Sequence, residues 1–192
     1  QAEAATAAAI RWAASKPATE HPYLTAKAVQ SHGLRIDGHH LLVPMRDSKG
    51  NLQSLQTIAP DGDKRFLPGG RVKGCYHSIG KPAGRLVVAE GYATAATVHE
   101  DTGHAVAVAF NSGNLLPVAQ ALRAKYPDAL LVLAADDDWQ TPGNPGRTAA
   151  TEAARAVSGL LAVPDFTGLQ RGPKDTDFND LRRLALAVEV CP

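Results

Sequence analysis

Three acidic features stand where short apolar runs end. Glu90-Gly91 follows Leu86-Val87-Val88-Ala89, and Asp136-Asp137-Asp138 follows Leu130 to Ala135. Asp175-Thr176-Asp177, with Asp180, lies shortly beyond Leu160 to Asp165. Side chains alternate along an extended chain, so Asp136 and Asp138 project to one side and Asp137 to the other. Carboxylates brought together repel one another, and a hard divalent cation with oxygen ligands neutralises them most simply. Mg²⁺ takes one or two carboxylates plus substrate phosphates, which matches this inventory. The competing reading makes each acid a helix cap, since Asp is favoured at N-termini. For Asp128 and Asp165 that second reading is preferred.

A basic segment stands in front of these acids. From Lys64 to Lys81 the chain carries Lys64, Arg65, Arg71, Lys73 and Lys81 and no acid, with Gly69-Gly70 and Gly74 interleaved. Such glycines let the backbone approach a ligand closely, and phosphate suits the charge. A solvated basic loop has the same composition, so both readings stand. No Gly-Lys-Ser/Thr ending occurs, which leaves a Walker-type ATPase unsupported. Ser112, in Phe110-Asn111-Ser112-Gly113-Asn114, lies in no nucleophile elbow. That stretch reads as a tight strand-to-helix loop that lines the same crevice or serves only as turn and cap. His21, His77 and His99 read as surface or packing residues, and Trp12 and Trp139 are too isolated to argue for base stacking.

Composition bounds the remaining choices. The 192 residues carry 20 Lys+Arg against 19 Asp+Glu, but the near-zero total hides a split. Residues 1–84 hold 11 basic and 6 acidic side chains, and residues 85–192 hold 9 and 13. The first half is therefore suited to an anion and the second to a cation. No apolar run has the length of a membrane span, and the opening residues lack the pattern of a secretory signal. Two cysteines, Cys75 and Cys191, exclude a disulfide framework and a four-cysteine zinc site. Cys75 reads as a small core residue, Cys191 as a tail residue. A reduced, cytoplasmic setting is the default expectation. The chain opens on Gln1, not Met, and reads as a piece of a longer protein.

The elements that must hold these residues change character near residue 84. Residues 1–15 read as an alanine-rich helix with a weak apolar face, and a short helical stretch runs through Val29. Leu41 to Met45 and Leu52 to Ile58 read as strands around an Asp47–Asn51 turn, followed by Arg65-Phe66-Leu67. This antiparallel unit closes near Gly80-Lys81-Pro82. Beyond it strands and helices alternate: strands at 85–89, 105–110, 129–135 and 160–163, helices at 93–100, 115–125, 148–157 and 180–188. The expected fold class is α/β, a parallel sheet flanked by helices and preceded by a small antiparallel α+β basic subdomain. The division falls at 1–84 and 85–192.

The acidic motifs resemble those of the Toprim fold, shared by bacterial-type primases, topoisomerases and some nucleases. Its signature is a Glu-Gly after the first strand and an Asp-x-Asp after the third, matched by Glu90-Gly91 and Asp136-Asp137-Asp138 about 46 residues on. Leu42-Val43-Pro44-Met45-Arg46-Asp47, Lys64-Arg65-Phe66-Leu67, Lys73-Gly74 and Tyr76 look like the subdomain that precedes Toprim in bacterial primases. Asp177-Phe178-Asn179-Asp180 looks like the phage and plasmid branch. The resemblance spans roughly residues 20–182. The replicative family often has an Asp four residues after the Glu, where this chain has Thr94, so one metal-shell contact is lost or replaced.

The resemblance implies a primase catalytic core that makes short primers on single-stranded DNA from nucleoside triphosphates, with Mg²⁺ or Mn²⁺. Glu90, Asp136 and Asp138 would be catalytic, and Asp175 and Asp177 would complete the metal ligands. Lys64, Arg65, Arg71, Lys73 and Asn111 would bind nucleotide or nucleic acid. A zinc-binding domain or helicase would lie elsewhere in the parent protein, and no membrane is involved. Two rivals remain: a Toprim-type metal-dependent nuclease, and a non-catalytic module for single-stranded nucleic acid. A topoisomerase is disfavoured, because 192 residues leave no room for a further domain with a nucleophilic Tyr.

Overall fold

Residues 1–190 are described in a computed structural model; Cys191 lies outside the described residues. The alanine-rich opening forms α1 (Ala2–Ala14). A first sheet follows, with β1 (Lys16–Pro17), β2 (Arg35–Asp37), β3 (His40–Arg46), β4 (Leu52–Ile58) and β5 (Lys64–Phe66) side by side in chain order. Every pairing in it is antiparallel. Between β1 and β2 lies α2 (Pro22–Lys27), whose first turn is capped by His21 Nδ1 accepting from the Tyr23 N–H at 3.2 Å. The turn between β3 and β4 closes on Asp47, which accepts from the N–H groups of Lys49 and Asn51.

Alternation along β3 and β4 sends side chains to two different cores. Leu42 and Leu55 pack with Ala8 under α1, joined by Trp12. Leu41, Val43, Met45 and Ile58 point the other way and enter the largest core. β1 and β2 went unread in the sequence, because two or three residues are too few to show a period of two.

The second sheet is built from β6 (His77–Ile79), β7 (Arg85–Ala89), β8 (Ala105–Val108), β9 (Leu130–Ala134) and β10 (Leu160–Ala162), in the order β10-β9-β7-β8-β6. All its pairings are parallel except that of β6, which runs antiparallel to β8. The helices are α3 (Tyr92–Thr102), α4 (Leu115–Lys125), α5 (Pro145–Ala156) and α6 (Phe178–Val190). α3 packs on α6, and α4 on α5. Both faces of β7 are therefore covered, which is why it reads as an unbroken apolar run. Val87 and Ala89 join one core, and Leu86 and Val88 the other. Among the described residues, no helix is long and apolar enough to cross a membrane.

The core does not stop at residue 84. Leu41, Met45 and Ile58 of the first sheet share one cluster with Val87, Tyr92 and Val106 of the second unit, and buried Cys75 belongs to it. β6, from the first half of the chain, forms the edge of the second sheet. Asn114 fastens the same junction. Its Oδ1 accepts from the Gly74 N–H at 2.8 Å, and its Nδ2 donates to the carbonyl oxygens of Cys75 and Ala109 at 3.0 and 2.8 Å. Asn114→Ala leaves these backbone groups unpaired in a buried setting. It should lower unfolding stability by about 2–4 kcal/mol, measured by urea unfolding; a loss below about 1 kcal/mol would refute the role.

Candidate active site

Chain order decides where a ligand can enter. β7 continues through α3 to β8 on one side, whereas β9 continues through α5 to β10 on the other. The crevice between the carboxyl ends of β7 and β9 is therefore a topological switch point, where open α/β sheets bind ligands. Glu90 leaves β7 there and Asp136 follows β9, on adjacent strands in register from Arg85↔Leu130 to Ala89↔Ala134.

Asp177 reaches the same crevice from the start of α6. Its Oδ1 caps that helix by accepting from the Asp180 N–H at 2.9 Å, and its Oδ2 accepts from the Thr94 hydroxyl at 2.9 Å. Thr94, in the position where an Asp was looked for, is thus a donor that holds an acid. Asp138 Oδ2 accepts from the Gly146 N–H, at 2.9 Å, in the first turn of α5. Gly146 lies so close that a Cβ there would stand 2.9 Å from the Asp136 carbonyl oxygen and 2.8 Å from Asp138 Oδ2. The cap and cluster readings therefore hold together. Asp138 and Asp177 anchor helix N-termini and also belong to the acidic group.

That grouping shows in the titration of its members. Asp136 is pushed up to about 8, first by burial and then by the charges of Asp177, Glu90 and Asp138. Glu90 is raised by burial and by Asp138; the Ser112 N–H and Lys64 pull the other way. Asp136 Oδ1 is buried without a hydrogen-bond partner. An orphaned carboxylate oxygen among other carboxylates, with no sulfur or imidazole nearby, is a donor set for a hard cation. Among the described residues no three His, Cys, Asp or Glu side chains form a closed metal cage. Mg²⁺ does not require one, because it keeps waters and takes substrate oxygens. The residues therefore fit such an ion.

Asp137 turns away from the cluster. Arg171 donates to its Oδ2 at 2.8 Å and to its carbonyl oxygen at 2.7 Å, and Asn144 Nδ2 donates to its Oδ1 at 2.7 Å. Burial pushes Asp137 up, but Arg171, Asn144 and Arg147 outweigh it and hold the carboxyl below its ordinary range. Arg171 lies over the rings of Phe166 at 4.1 Å and Trp139 at 5.1 Å, and its Nε donates to the Asp175 carbonyl oxygen at 2.7 Å. This clasp joins the loop after β9 to the loop before α6. Asp175 sits in the clasp: its Oδ2 accepts from the Gly172 N–H at 2.7 Å, and it is not among the charges acting on Asp136. Asp165 closes a turn, accepting from the Thr167 N–H and hydroxyl, and caps no helix.

The basic residues divide. Lys64 enters the crevice: a Cβ on Gly91 would lie 3.9 Å from its Nζ. Its stem is open to solvent, but its ammonium group is crowded by protein. Burial and Lys27 lower its pKa, while Asp177, Asp136 and Glu90 oppose them. Arg65 turns outward into an exposed pair with Asp63 at 2.8 Å. Arg71 donates to the Lys73 carbonyl oxygen at 3.4 Å, away from the acids, and Lys73 is exposed. Asn111 is half-buried at the head of the loop that runs past Glu90. His21 is a helix cap, as a packing role predicts, and buried His77 is pushed down to about 4, chiefly by burial. Arg171 and Asn114 were missed, and no local pattern marks either. Asn144 had a signal, since an Asn before a Pro at the first helical position is a helix start.

Comparison with known proteins follows this geometry. A family described as the Toprim domain matches residues 85–187, more than half of the chain, and the chain belongs to that family. Two relatives from Escherichia coli, each named DNA primase TraC, are 47% identical over 173 residues and 45% identical over 157. The matches cover 83% and 76% of this chain, which spans 16% and 11% of those relatives. In fold the chain is similar to the crystal structure of the primase fragment of the bacteriophage T7 primase-helicase protein. The TM-score is 0.65 at 18% identity, covering 93% of this chain and 75% of that one.

The Asp136 shift has a measurable consequence. Between the unfolded value of 3.8 and about 8, the folded protein holds a proton that the unfolded chain has lost, so stability falls as pH rises through that window. In EDTA, Asp136→Asn should be the more stable protein, with an advantage that grows from pH 4 to pH 8 in urea unfolding. Parallel pH curves for the two proteins would exclude the shift.

Proposed function

We propose that this chain is the catalytic core of a DNA primase, which makes short primers on single-stranded DNA by metal-dependent nucleotidyl transfer. Residues 1–84 would form the basic subdomain and residues 85–192 the Toprim domain. The observation that carries this reading is the meeting of Glu90, Asp136, Asp138 and Asp177 with Lys64 in one crevice. The relatives named DNA primase support it.

In the reaction a primer 3′-hydroxyl attacks the α-phosphate of a nucleoside triphosphate and pyrophosphate leaves. Asp136 and Asp177, with Asp138, would hold Mg²⁺ or Mn²⁺, and bound ions would supply charge stabilisation at the attacking and leaving oxygens. Glu90, raised toward neutrality, is suited to accept the hydroxyl proton at a carboxylate oxygen. Lys64 holds phosphate oxygens by charge and hydrogen bond. Thr94 keeps Asp177 turned into the crevice. Arg71, Lys73 and Arg65 would follow a strand backbone without reading its sequence. Asn111 would contact the nucleotide from the loop beside Glu90, and Asp175 would act on the ions only through the loop it closes. A helicase or zinc-binding domain would come from elsewhere in a longer protein.

Incubation with single-stranded DNA, labelled nucleoside triphosphates and Mg²⁺ or Mn²⁺ tests this. Short primers should form, and Glu90→Gln or Asp136→Asn should each lower the rate at least about 100-fold without unfolding the protein. Degradation of the template in place of primer synthesis would favour a nuclease. Unchanged synthesis in both variants would overturn the site.

A further inference from the structure

A second cavity opens beside the carboxylates, between α2, the β4–β5 turn and α6. Its volume is about 370 Å³, and Tyr23, Lys27, Lys64 and Arg183 line it. Lys27 and Arg183 are both tethered by buried Asp180, at 3.7 and 3.2 Å from its Oδ1. Lys64 stands over the Tyr23 ring at 5.7 Å. Lys27 and Lys64 are close enough for the first to depress the second. The Tyr23 hydroxyl is buried without a hydrogen-bond partner, in a residue only 4% exposed. The Ala93 N–H faces it without reaching hydrogen-bond geometry. Asp61 on the rim is occupied with the Asp63 N–H. Three cationic side chains and an unused hydroxyl donor thus converge where no protein acceptor serves them all.

We propose that Tyr23, Lys27, Lys64 and Arg183 form a subsite for the phosphate chain of a nucleoside triphosphate, on the flank of the carboxylate crevice. Lys64 connects the two places, since it also faces Asp136, Asp177 and Glu90. A bound polyphosphate would relieve the repulsion between Lys27 and Lys64 and give the Tyr23 hydroxyl an acceptor. The donors cluster at one point, which suits a compact polyanion. The other basic residues, Arg71 and Lys73, lie apart along the loop before β6 and suit an extended strand. The subsite deepens the primase reading and names the groups that would hold its substrate.

The test is binding, not turnover. In Mg²⁺ buffer, affinity for ATP and for inorganic triphosphate is measured by titration calorimetry, and affinity for a labelled single-stranded oligonucleotide by anisotropy. Lys27→Gln and Arg183→Gln should each weaken triphosphate binding about 5–10-fold, with oligonucleotide affinity within about twofold of the parent. Tyr23→Phe removes only the hydroxyl and should weaken triphosphate binding about threefold, so the idea stays testable if a charge variant misfolds. Unchanged triphosphate affinity in folded variants would overturn the subsite, as would no triphosphate binding by the parent protein. A loss confined to the oligonucleotide would overturn it too, by assigning these cations to a strand. If triphosphate binding depends on these residues but no primers form, the primase reading fails and the subsite stands.

Discussion

Repulsion among Glu90, Asp136, Asp138 and Asp177 is the interaction around which the second unit is arranged. Two like charges 4 Å apart cost about 4 kcal/mol at an effective dielectric of 20, so several in one crevice would spread the loops that carry them. Each acid is held by something that resists this. Glu90 and Asp136 leave adjacent parallel strands, and their backbones are fixed by the ladder between β7 and β9. Asp138 and Asp177 are tied to the first turns of α5 and α6, where the helix dipole favours negative charge. What these supports leave uncompensated appears on Asp136, which is the most buried in charge and has an oxygen with no partner.

A second layer keeps the acids from relaxing apart. Arg171 grips Asp137 from the side opposite the cluster and is itself enclosed between Phe166 and Trp139. The middle residue of the Asp triplet is thus a fastener, and its two neighbours are left free to face the crevice. Thr94 acts similarly on Asp177. Donors in such places orient a carboxylate and lower its freedom, which is the usual requirement of a site that must meet a cation in one geometry.

The first sheet supplies what the Toprim unit lacks, a cation at the crevice. β5 ends the sheet beside the β7–α3 turn and delivers Lys64 there. That delivery depends on the two units staying in register. One apolar core passes between them, Asn114 bonds the loop before β6 to the end of β8, and Asn179 links α6 to the Lys27 carbonyl oxygen and to Thr97. The position of Lys27 beside Arg183 follows from the same joints.

The sequence by itself determined the element pattern of the second unit and the identity of the acids. Runs such as Leu86 to Ala89 bury both faces, and burial on both faces leaves a local apolar signature that needs no partner to be read. Glu90 and Asp136 were legible because they follow such runs directly. Tertiary structure alone decided the rest. It turned Asp177 into the crevice and Asp175 into a clasp, although the two sit in one short motif, because Thr94 and Gly172 reach them from different sides. It sent Lys64 inward and Arg65 outward, since neighbours on a strand face opposite ways and only the packing of the sheet says which is inside. Strand β6, Arg171 and the joining asparagines left no local trace, for their partners lie far along the chain and a hydrogen bond across that distance has no sequence period.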